Sequence, residues 1–514
     1  FQDQDTLQAM ALDAPWDLVV VDEAHHLHWS EDGAGDDYRF VESLAGHSPG
    51  LLLLTATPEQ VGQASHFARL RLLDPSRFHD LDAFRGEEQQ YRRWSDVVEQ
   101  LQRGEDPAEL PTDLDPVTQP DELIEQILDR HGTGRVLFRN TRAAIKGFPE
   151  RVLHRYPLPA PEQYTHAVVD LDEKLHPELP FLDDSWLGFD PRVAWLEQTL
   201  KALRPAKVLV ICANASTAVA LEHHLQMRAG IRSAAFYEGL TILERDRAAA
   251  YFADDVNGAQ TLVCSEIGSE GRNFQFAHHL ILFDLPLNPD LLEQRIGRLD
   301  RIGQTSDVHI HVPYLESTAQ ETLLDWYDRG LDLFRESCSA GYMIFDTFRE
   351  RVMAELDQRT EAFDGLLTDT AEYTVNTRRE LREGRDRLLE LNSCKPAIAE
   401  QLIQEIQANE QEDTLQEYLE ALCEGFGVEH EFHSDHCLIL RPTEHMLTGH
   451  FPHLGEEGTT VTFNRELALS REDLRFVTWE HPMLVEAMDM VYSTELGNAA
   501  IGTIKLKGIA PGTM

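Results

Sequence analysis

The most specific stretch of this sequence is Glu-Gln-Arg-Ile-Gly-Arg-Leu-Asp-Arg-Ile-Gly-Gln, residues 293–304. Arg295, Arg298 and Arg301 recur every three residues, and on a helix that spacing places side chains on one side. Gly297 has no Cβ, so a backbone or a phosphate can approach it closely. A guanidinium is planar and permanently charged, so a row of arginines suits the neutralisation of charge in phosphoryl transfer. The alternative is a solvated basic helix face that pairs with nearby acids.

A hydrophobic segment near the start of the chain runs into two acids. Residues 17–21, Asp-Leu-Val-Val-Val, are rich in β-branched side chains and predict a buried parallel strand. Asp22 and Glu23 follow directly, at the end of the strand where parallel sheets bind ligands. We therefore predict that Asp22 holds Mg²⁺ and that Glu23 orients or deprotonates an attacking water. A chance pair of acids at a strand end is the alternative.

A second hydrophobic segment, residues 51–54, runs into Thr55-Ala56-Thr57-Pro58. Hydroxyl groups at such a place can cap the helix that follows, with Pro58 at its first position.

An α/β unit begins at Asp190. Apolar runs at residues 207–212, 261–264 and 279–283 predict buried strands, and helical segments separate them. This alternation predicts a parallel sheet with right-handed crossovers. Gly268 and Gly271 follow the second of these strands and would allow close approach to a phosphate.

The densest basic patch of the sequence lies between the two α/β segments. It comprises Arg135, Arg139, Arg142, Lys146 and Arg151, and two phenylalanines are interleaved with it. Such a patch could follow the phosphate backbone of a nucleic acid. Salt bridges to neighbouring acids are an equally good interpretation.

The overall charge restricts how the chain can bind nucleic acid. It has 45 Lys and Arg against 90 Asp and Glu, a net charge of −45. This charge argues against a nonspecific coating of nucleic acid, so any such path must be a local basic track. The six cysteines show no metal-binding spacing and are typical of reduced thiols in cytosol. No apolar run reaches the roughly 18 residues of a membrane span.

The region after Pro313 changes from helical periodicity to short strands from Gly425 onward. It contains irregularly spaced histidines and no cysteine pair accompanies them, so we interpret these histidines as ordinary surface or core residues. They are His433, His436, His445, His450 and His453.

Five motifs occur in a characteristic order: D-E-A-H at 22–25, T-A-T-P at 55–58, G-S-E-G-R-N at 268–273, D-L-P-L-N-P at 284–289 and Q-R-I-G-R-L-D-R-I-G-Q at 294–304. The set resembles the SWI/SNF helicase-like family, in its branch of bacterial RNA polymerase-associated ATPases. The resemblance implies two RecA-like lobes with ATP and Mg²⁺ between them and translocation on double-stranded DNA, or on RNA. It also implies the RNA polymerase core as a partner during polymerase recycling, and a cytoplasmic, nucleoid-associated location.

The same resemblance assigns roles to individual residues. It implies catalytic roles for Asp22, Glu23, Arg298 and Arg301, with Asp22 and Glu23 at the Mg²⁺. It implies nucleotide contacts for Gly268, Glu270, Gly271, Asn273, Gln294 and Arg295. It implies coupling of nucleotide state to lobe movement for His25, Thr55 and Thr57.

One element of this family is missing from the sequence. No G-x-x-x-x-G-K-[S/T] phosphate loop occurs in the 514 residues. We therefore expect a fragment truncated at both ends, which is inactive alone and hydrolyses ATP only within its parent protein. The alternatives are a non-catalytic fragment that binds RNA polymerase and a DEAH helicase that separates strands.

The expected fold class is α/β, with two RecA-like parallel-sheet lobes, the first truncated, followed by a helical spacer and a small α+β region. The expected segments are 1–75 for the end of lobe 1, 76–165 for a helical protrusion and return to lobe 1, 166–190 for a linker, 191–315 for lobe 2, 316–425 for a helical brace and spacer, and 426–514 for the α+β region.

Overall fold

A computed structural model describes most of the chain, in two compact units. The described residues are 4–24, 27–31, 33–55, 63–103, 105, 107, 110, 120–131, 138, 148–167, 170–254, 256–266, 274–302, 304, 306–338, 340–383, 396–410, 414–434, 436–470 and 474–493. The first unit comprises Phe1–Thr241, Ala259–Glu270 and Ala277–Pro396, and the second comprises Ile242–Gly258, Gly271–Phe276 and Ala397–Met514.

The first unit opens with a small parallel sheet and helices around it. Its elements are α1 (Gln4–Asp13), β1 (Leu18–Val21), β2 (Trp29–Ser30), β3 (Gly33–Ala34), α2 (Asp36–His47), β4 (Gly50–Leu53), α3 (Gln63–Leu73), α4 (Leu81–Gln102) and α5 (Pro120–His131). β1 and β4 pair in parallel, with Val21 opposite Leu53. Both strands occur where the apolar runs predict them.

The two faces of this small sheet are covered differently. Val21, Leu51 and Leu53 pack with Tyr38 and other residues of a buried cluster. The side chains that alternate with them are about half exposed: Leu18 at 53%, Val20 at 52% and Leu52 at 45%. Continuous apolar strands are typical of sheets that are buried on both faces. The sequence of β1 and β4 is therefore suited to burial of this second, half-exposed face as well.

A six-stranded sheet forms the centre of the first unit. Its strands are β5 (Arg151–Leu158), β6 (Val208–Ile211), β7 (Ser233–Phe236), β8 (Thr261–Cys264), β9 (His279–Leu282) and β10 (Val308–Leu315). The flanking helical elements are α6 (Glu162–Ala167), α7 (Leu171–Leu175), a 3₁₀ turn (Ser185–Gly188), α8 (Pro191–Ala202), α9 (Ala215–Met227) and α11 (Pro289–Ile296). Helix α10 (Ile242–Ala253) belongs to the second unit. The strand order is β5-β10-β9-β6-β8-β7. Every pair is parallel, as the strand and helix alternation predicts.

Local sequence explains why the helices begin where they do. Asp190 caps α8 by accepting a hydrogen bond from the backbone N–H of Arg192, with a proline at the first helical position. Asn288 caps α11 in the same way, again with a proline following. A side-chain oxygen at the N-cap satisfies a backbone donor that the helix cannot, and proline at the first position fits the helical φ angle.

The six-stranded sheet begins earlier in the chain than the predicted second lobe. β5 pairs with β10 over eight residues, from Arg151 opposite Val308 to Leu158 opposite Leu315. These residues were assigned by sequence to a return to lobe 1, and residues 166–190 to a linker. The structure differs because two arginines of β5, Arg151 and Arg155, pair with acids that follow β9 and β10. Glu178 of the predicted linker is likewise buried against Arg192.

Helices follow the six-stranded sheet in the described part of the chain. They are α12 (Ala319–Asp325), a π-helical turn (Trp326–Leu331), α13 (Gly341–Asp357) and α14 (Phe363–Glu383). The indole N–H of Trp326 donates to the hydroxyl of Thr370, which ties the π turn to α14. Asp332, with a φ of 52°, ends this turn in the left-handed region.

The second unit contains an α+β region with its own core. Its C-terminal elements are α15 (Pro396–Glu410, of which Pro396 is counted with the first unit), α16 (Thr414–Phe426), β11 (Glu429–Ser434), β12 (Cys437–Arg441), β13 (Thr459–Thr462), α17 (Arg465–Ser470), β14 (Arg475–Phe476) and α18 (Pro482–Ser493). The sheet order is β11-β12-β13-β14. Gly427 has a φ of +76°, and a Cβ there would lie 2.4 Å from the carbonyl oxygen of His445. Only glycine fits such a turn.

Among the described helices, none is both long and apolar enough to cross a membrane.

One buried arginine joins β5 to the segment after β9. Arg151 donates from Nε to Asp300 at 2.5 Å and from Nη2 to Glu293 at 3.1 Å. The side chains of Arg151 and Asp300 are 4% and 1% exposed. Burial by itself would lower the pKa of Arg151, but Glu293 and Asp300 outweigh it and the pKa is raised.

We expect Arg151→Met to destabilise the first unit by about 3–5 kcal/mol, because it leaves buried carboxylates without their partner. Arg329→Met is the control, since Arg329 and Asp364 are 54% and 83% exposed and lie 3.9 Å apart. Its loss should cost less than about 1 kcal/mol. The free energy of unfolding in urea measures both. Equal stability of the two variants would show that the acids around Arg151 are not desolvated.

Candidate functional site

The acids after β1 lie at the carboxyl edge of the small sheet, beside the residues that follow β4. The backbone N–H of Leu54 donates to the carbonyl of Val21, and that of Ala24 donates to the carbonyl of Leu54, each at 2.8 Å. These bonds extend the strand pairing past both strand ends. Asp22 and Glu23 therefore lie at the same edge as Thr55, as expected for neighbouring parallel strands.

The backbone at this edge is constrained. Glu23 has a φ of 48°, which a residue with a Cβ rarely adopts. Its N–H donates to the carboxylate of Asp22 at 2.9 Å. Both side chains are exposed, and Thr55 is half-buried. Strained backbone of this kind persists where the surrounding structure fixes it, and it is common at functional sites.

Several residues predicted for the site lie outside the described residues. They are His25, Thr57, Gly268, Glu270, Gly271 and Asn273, together with Arg135, Arg139, Arg142 and Lys146 of the basic patch.

The arginine-rich stretch does not form a single helical face. α11 ends at Ile296, and Gly297 is its C-cap. Beyond it the N–H of Arg298 bonds to the carbonyl of Arg295, three residues back. The interpretation that the three arginines share one side of a single helix is therefore wrong, because α11 ends at Ile296 and Arg298 and Arg301 lie in the turns that follow it.

Arg295 is engaged at all three of its guanidinium nitrogens. Its guanidinium is buried, and Nη1 donates to the carboxylate of Asp284 at 3.0 Å and to the carbonyl of the same residue at 2.7 Å. Nε donates to both carboxylate oxygens of Glu266 at 3.0 Å, and Nη2 donates to one of them as well. Glu266 follows β8 and Asp284 follows β9, so this arginine joins two strand ends. All three of its nitrogens have partners within the protein. The nucleotide contact expected for Arg295 stays a prediction.

The remaining predicted residues of the stretch differ in exposure. Arg298 is 8% exposed. Arg301 is half-buried, and its Nε donates to the carbonyl of Gly297 at 2.9 Å. Gln294 is exposed on α11. Gln304 is buried and donates to the carbonyl of Ala277, which anchors the end of the stretch.

Arg295 belongs to a larger network of buried charges within the first unit. The carboxylate of Asp284 accepts from the backbone N–H of Ala213 at 2.9 and 3.0 Å, and Nδ1 of His176 lies 3.7 Å from it. Glu178 accepts from Nη2 of Arg192 at 2.9 Å. Sequence reasoning missed these residues, although Asp284 stands after a predicted buried strand and that position was a usable signal.

The charges of this network explain how its acids stay ionised. Burial by itself would raise the pKa of Asp284, but Arg295 and then His176 outweigh it and the pKa is lowered far below its usual range. Burial by itself would lower the pKa of His176, but Asp284 and then Glu178 raise it instead. Ligand atoms of His176, Glu178 and Asp284 lie within 4.8 Å of one another, a spacing that could hold a metal ion. Because the arginines already balance these acids, we interpret the group as an ion-pair network.

Comparisons with known protein families match two parts of the chain. Residues 191–303 match the helicase conserved C-terminal domain, and residues 307–514 match the RNA polymerase recycling family C-terminal domain.

Curated relatives match the whole chain. The RNA polymerase-associated protein RapA of Pseudomonas putida (strain GB-1) is 51% identical over 538 residues, which cover 100% of this chain and 57% of that protein. RapA of Pseudomonas aeruginosa (strain LESB58) is 51% identical over 531 residues, which cover 98% of this chain and 56% of that protein. The chain thus spans a little over half the length of these relatives. Among solved structures, the Sulfolobus solfataricus SWI2/SNF2 ATPase core in complex with dsDNA is 18% identical with a TM-score of 0.29, covering 67% of this chain and 75% of that one.

We expect His176→Gln to destabilise the first unit more at acidic than at alkaline pH. A histidine whose folded pKa is raised stabilises fully below its unfolded pKa of about 6.5, and this contribution is lost as the pH rises through the folded value. Each unit of pKa shift corresponds to about 1.4 kcal/mol. Urea unfolding at about pH 6 and about pH 9 measures the effect, with exposed His47→Gln as the control. A penalty that does not change with pH would show that His176 is not charged in the folded protein.

Proposed function

This chain belongs to the RapA family of RNA polymerase-associated proteins, and from that premise we propose that it forms part of a nucleic-acid-dependent ATPase motor. The motor would hydrolyse ATP to translocate on double-stranded DNA and to remodel or recycle RNA polymerase.

The observation that carries this proposal is the constrained pair of carboxylates after β1. Asp22 and Glu23 are exposed at the carboxyl edge of a parallel sheet, with Glu23 held at a φ of 48°. Thr55 follows the neighbouring strand at the same edge, tied there by the bonds that continue the pairing. An acid pair with a hydroxyl beside it at such an edge supports the binding of a phosphate-bearing ligand.

The donor set at this edge fits Mg²⁺. The ion prefers carboxylate and water oxygens and keeps several waters when it binds a nucleotide. Asp22 would hold it, and the bound ion would neutralise charge on the phosphates. Glu23 would orient the attacking water and accept its proton.

The segment after α11, which connects that helix to β10 of the six-stranded sheet, would supply the positive charge that neutralises the phosphates. Arg295 is bound to Glu266 and Asp284, and Arg151 is bound to Glu293 and Asp300, so both ends of the segment are fixed. Arg301 is half-buried and Arg298 is more deeply buried. We therefore assign the phosphate contact first to Arg301 and second to Arg298.

The C-terminal part of the chain would provide contacts to RNA polymerase. Residues 307–514 match a family model described by RNA polymerase recycling, and the second unit has a hydrophobic core of its own.

A nucleic-acid path would use a local basic track, because the net charge of −45 opposes general binding to phosphate backbones.

We expect Glu23→Gln, introduced into the full-length protein, to abolish ATP turnover and to preserve ATP binding. Glutamine keeps the size of the side chain but cannot accept the proton. ATPase rates and nucleotide binding would be measured together, with Glu42→Gln on the exposed face of α2 as the control. Near-normal hydrolysis by Glu23→Gln would remove the carboxylate from the mechanism.

We expect Arg301→Lys, in the same form of the protein, to lower ATP turnover by about 10³-fold or more, as the loss of an arginine finger does. Lysine keeps the charge but lacks the planar fork, so nucleotide affinity and melting temperature should change much less. Arg298→Lys should lower turnover and stability together, because Arg298 is 8% exposed. Arg329→Lys, at an exposed ion pair, is the control. Normal turnover per folded molecule in both variants would make these arginines structural.

A further inference from the structure

Five histidines gather on one side of the six-stranded sheet, although their positions in the sequence are far apart. Strand register brings four of them together: His154 of β5 lies opposite His311 of β10, and His279 of β9 lies opposite His309 of β10. Alternate residues of a strand point to the same face, so His309 and His311 project together. His278 precedes β9, and its ring lies 4.6 Å from that of His279.

The imidazoles are in direct contact. Nε2 of His154 lies 3.0 Å from Nδ1 of His309, and Nδ1 of His279 lies 3.1 Å from Nε2 of His311. The rings of His154 and His311 are stacked at 4.8 Å, and those of His279 and His309 at 5.1 Å. The hydroxyl of Tyr156 lies 3.0 Å from Nδ1 of His311.

Two ring nitrogens at this separation have two chemical interpretations. One nitrogen can donate its proton to the other, or both can be lone-pair ligands of a single metal ion. A Zn–N bond of about 2.0–2.1 Å places two nitrogens of a tetrahedral site about 3.3 Å apart. The observed separations of 3.0 and 3.1 Å are close to that value, and small side-chain rotations would reach it.

The pairs differ in access to solvent. The rings of His154 and His309 belong to half-buried residues, whereas His311 is 4% exposed and is engaged by Tyr156. An ion can therefore reach the first pair most readily. The second pair stacks on the first, so it would support the ligands and fix their orientation, as surrounding contacts do in other metal sites.

The histidines lie apart from the charged network around Arg295. His279 is the first residue of β9 and His309 is the second of β10, near the amino ends of these strands. Glu266 and Asp284 follow the carboxyl ends of β8 and β9, at the opposite edge of the sheet. Substitutions among the histidines therefore leave that network in place.

We propose that His154 and His309 bind a divalent transition metal ion of the zinc class through Nε2 and Nδ1, with water completing the coordination. Imidazole suits zinc, nickel and copper and is a poor ligand for magnesium or calcium. The ion would join β5 to β10, and through the stacked rings to β9, so its binding would stabilise this part of the sheet by mass action.

Titration of the full chain with Zn²⁺ and Co²⁺ tests the site. After treatment with a chelator, and at about pH 8 where imidazole is neutral, calorimetry gives the number of ions and their affinity. The visible absorption of bound Co²⁺ reports whether nitrogen ligands hold it in tetrahedral geometry. High salt would suppress adventitious binding to the acidic surface.

We expect one ion bound by the unmodified chain, with a melting temperature that rises with Zn²⁺ and falls again with chelator. His154→Gln and His309→Gln should each weaken binding by at least about tenfold. His450→Gln, at an exposed residue of the second unit, is the matched control and should bind as the unmodified chain does.

Two results would overturn the proposal. If the unmodified chain binds no Zn²⁺ and its melting temperature does not respond to the ion, the rings form a network of N–H to N hydrogen bonds. If both variants bind as the control does, the ions occupy acidic surface sites. The melting response of the unmodified chain decides the question even where a variant fails to fold.

Discussion

The arrangement of the first unit depends on one buried guanidinium, that of Arg295. It lies between Glu266 and Asp284, which follow two strands of the sheet, so it closes the edge at which these strands end. A charge this deeply buried is tolerated only when every donor finds a partner, and here all three nitrogens do. The same requirement fixes the position of α11, because the helix can lie only where its last-turn arginine reaches both acids.

A second arginine holds the stretch from the other side. Arg151 of β5 binds Glu293, before Arg295, and Asp300, after it. The residues of the stretch thus fall into two groups, those that anchor the backbone and the arginines that the anchored backbone presents. Glu293, Arg295 and Asp300 anchor the backbone, so that Arg298 lies between two fixed points and Arg301 directly follows the last of them. Preorganisation of this kind allows a charged group to act without reorganising its surroundings.

The sequence predicted the strands well because buried parallel strands are continuous apolar runs, and the segments before Asp22, Thr55 and Asp284 are all of this kind. It failed where tertiary contacts decide. Helical spacing placed Arg295 and Arg298 on one face, but the helix ends between them. Arg151 was grouped with a basic patch, yet in the fold it pairs with acids, so for this residue the salt-bridge interpretation is correct.

The histidines show the same limitation in a different form. Attention to local spacing selected the C-terminal group from His433 to His453, whose members are close in sequence. The five that meet in space come from β5, from β10 and from the start of β9, and only the strand register aligns them. Register is set by the pairing of whole strands, so no pattern within a single segment could have revealed this cluster.

The balance of charges sets the final constraint on function. In an acidic chain, several arginines serve as internal counter-charges: Arg151, Arg192 and Arg295 are each buried against at least two carboxylates. Arginine suits this use because its fork can bond two acids at once, which the lysine ammonium does less well. Arginines bound in this way contribute nothing to the outer field of the protein. A surface path for a nucleic-acid backbone must therefore be built from other basic residues, gathered closely enough to reverse the local sign of the potential. Salt should then weaken binding with a slope set by the few cations in that path, rather than by the net charge of the molecule.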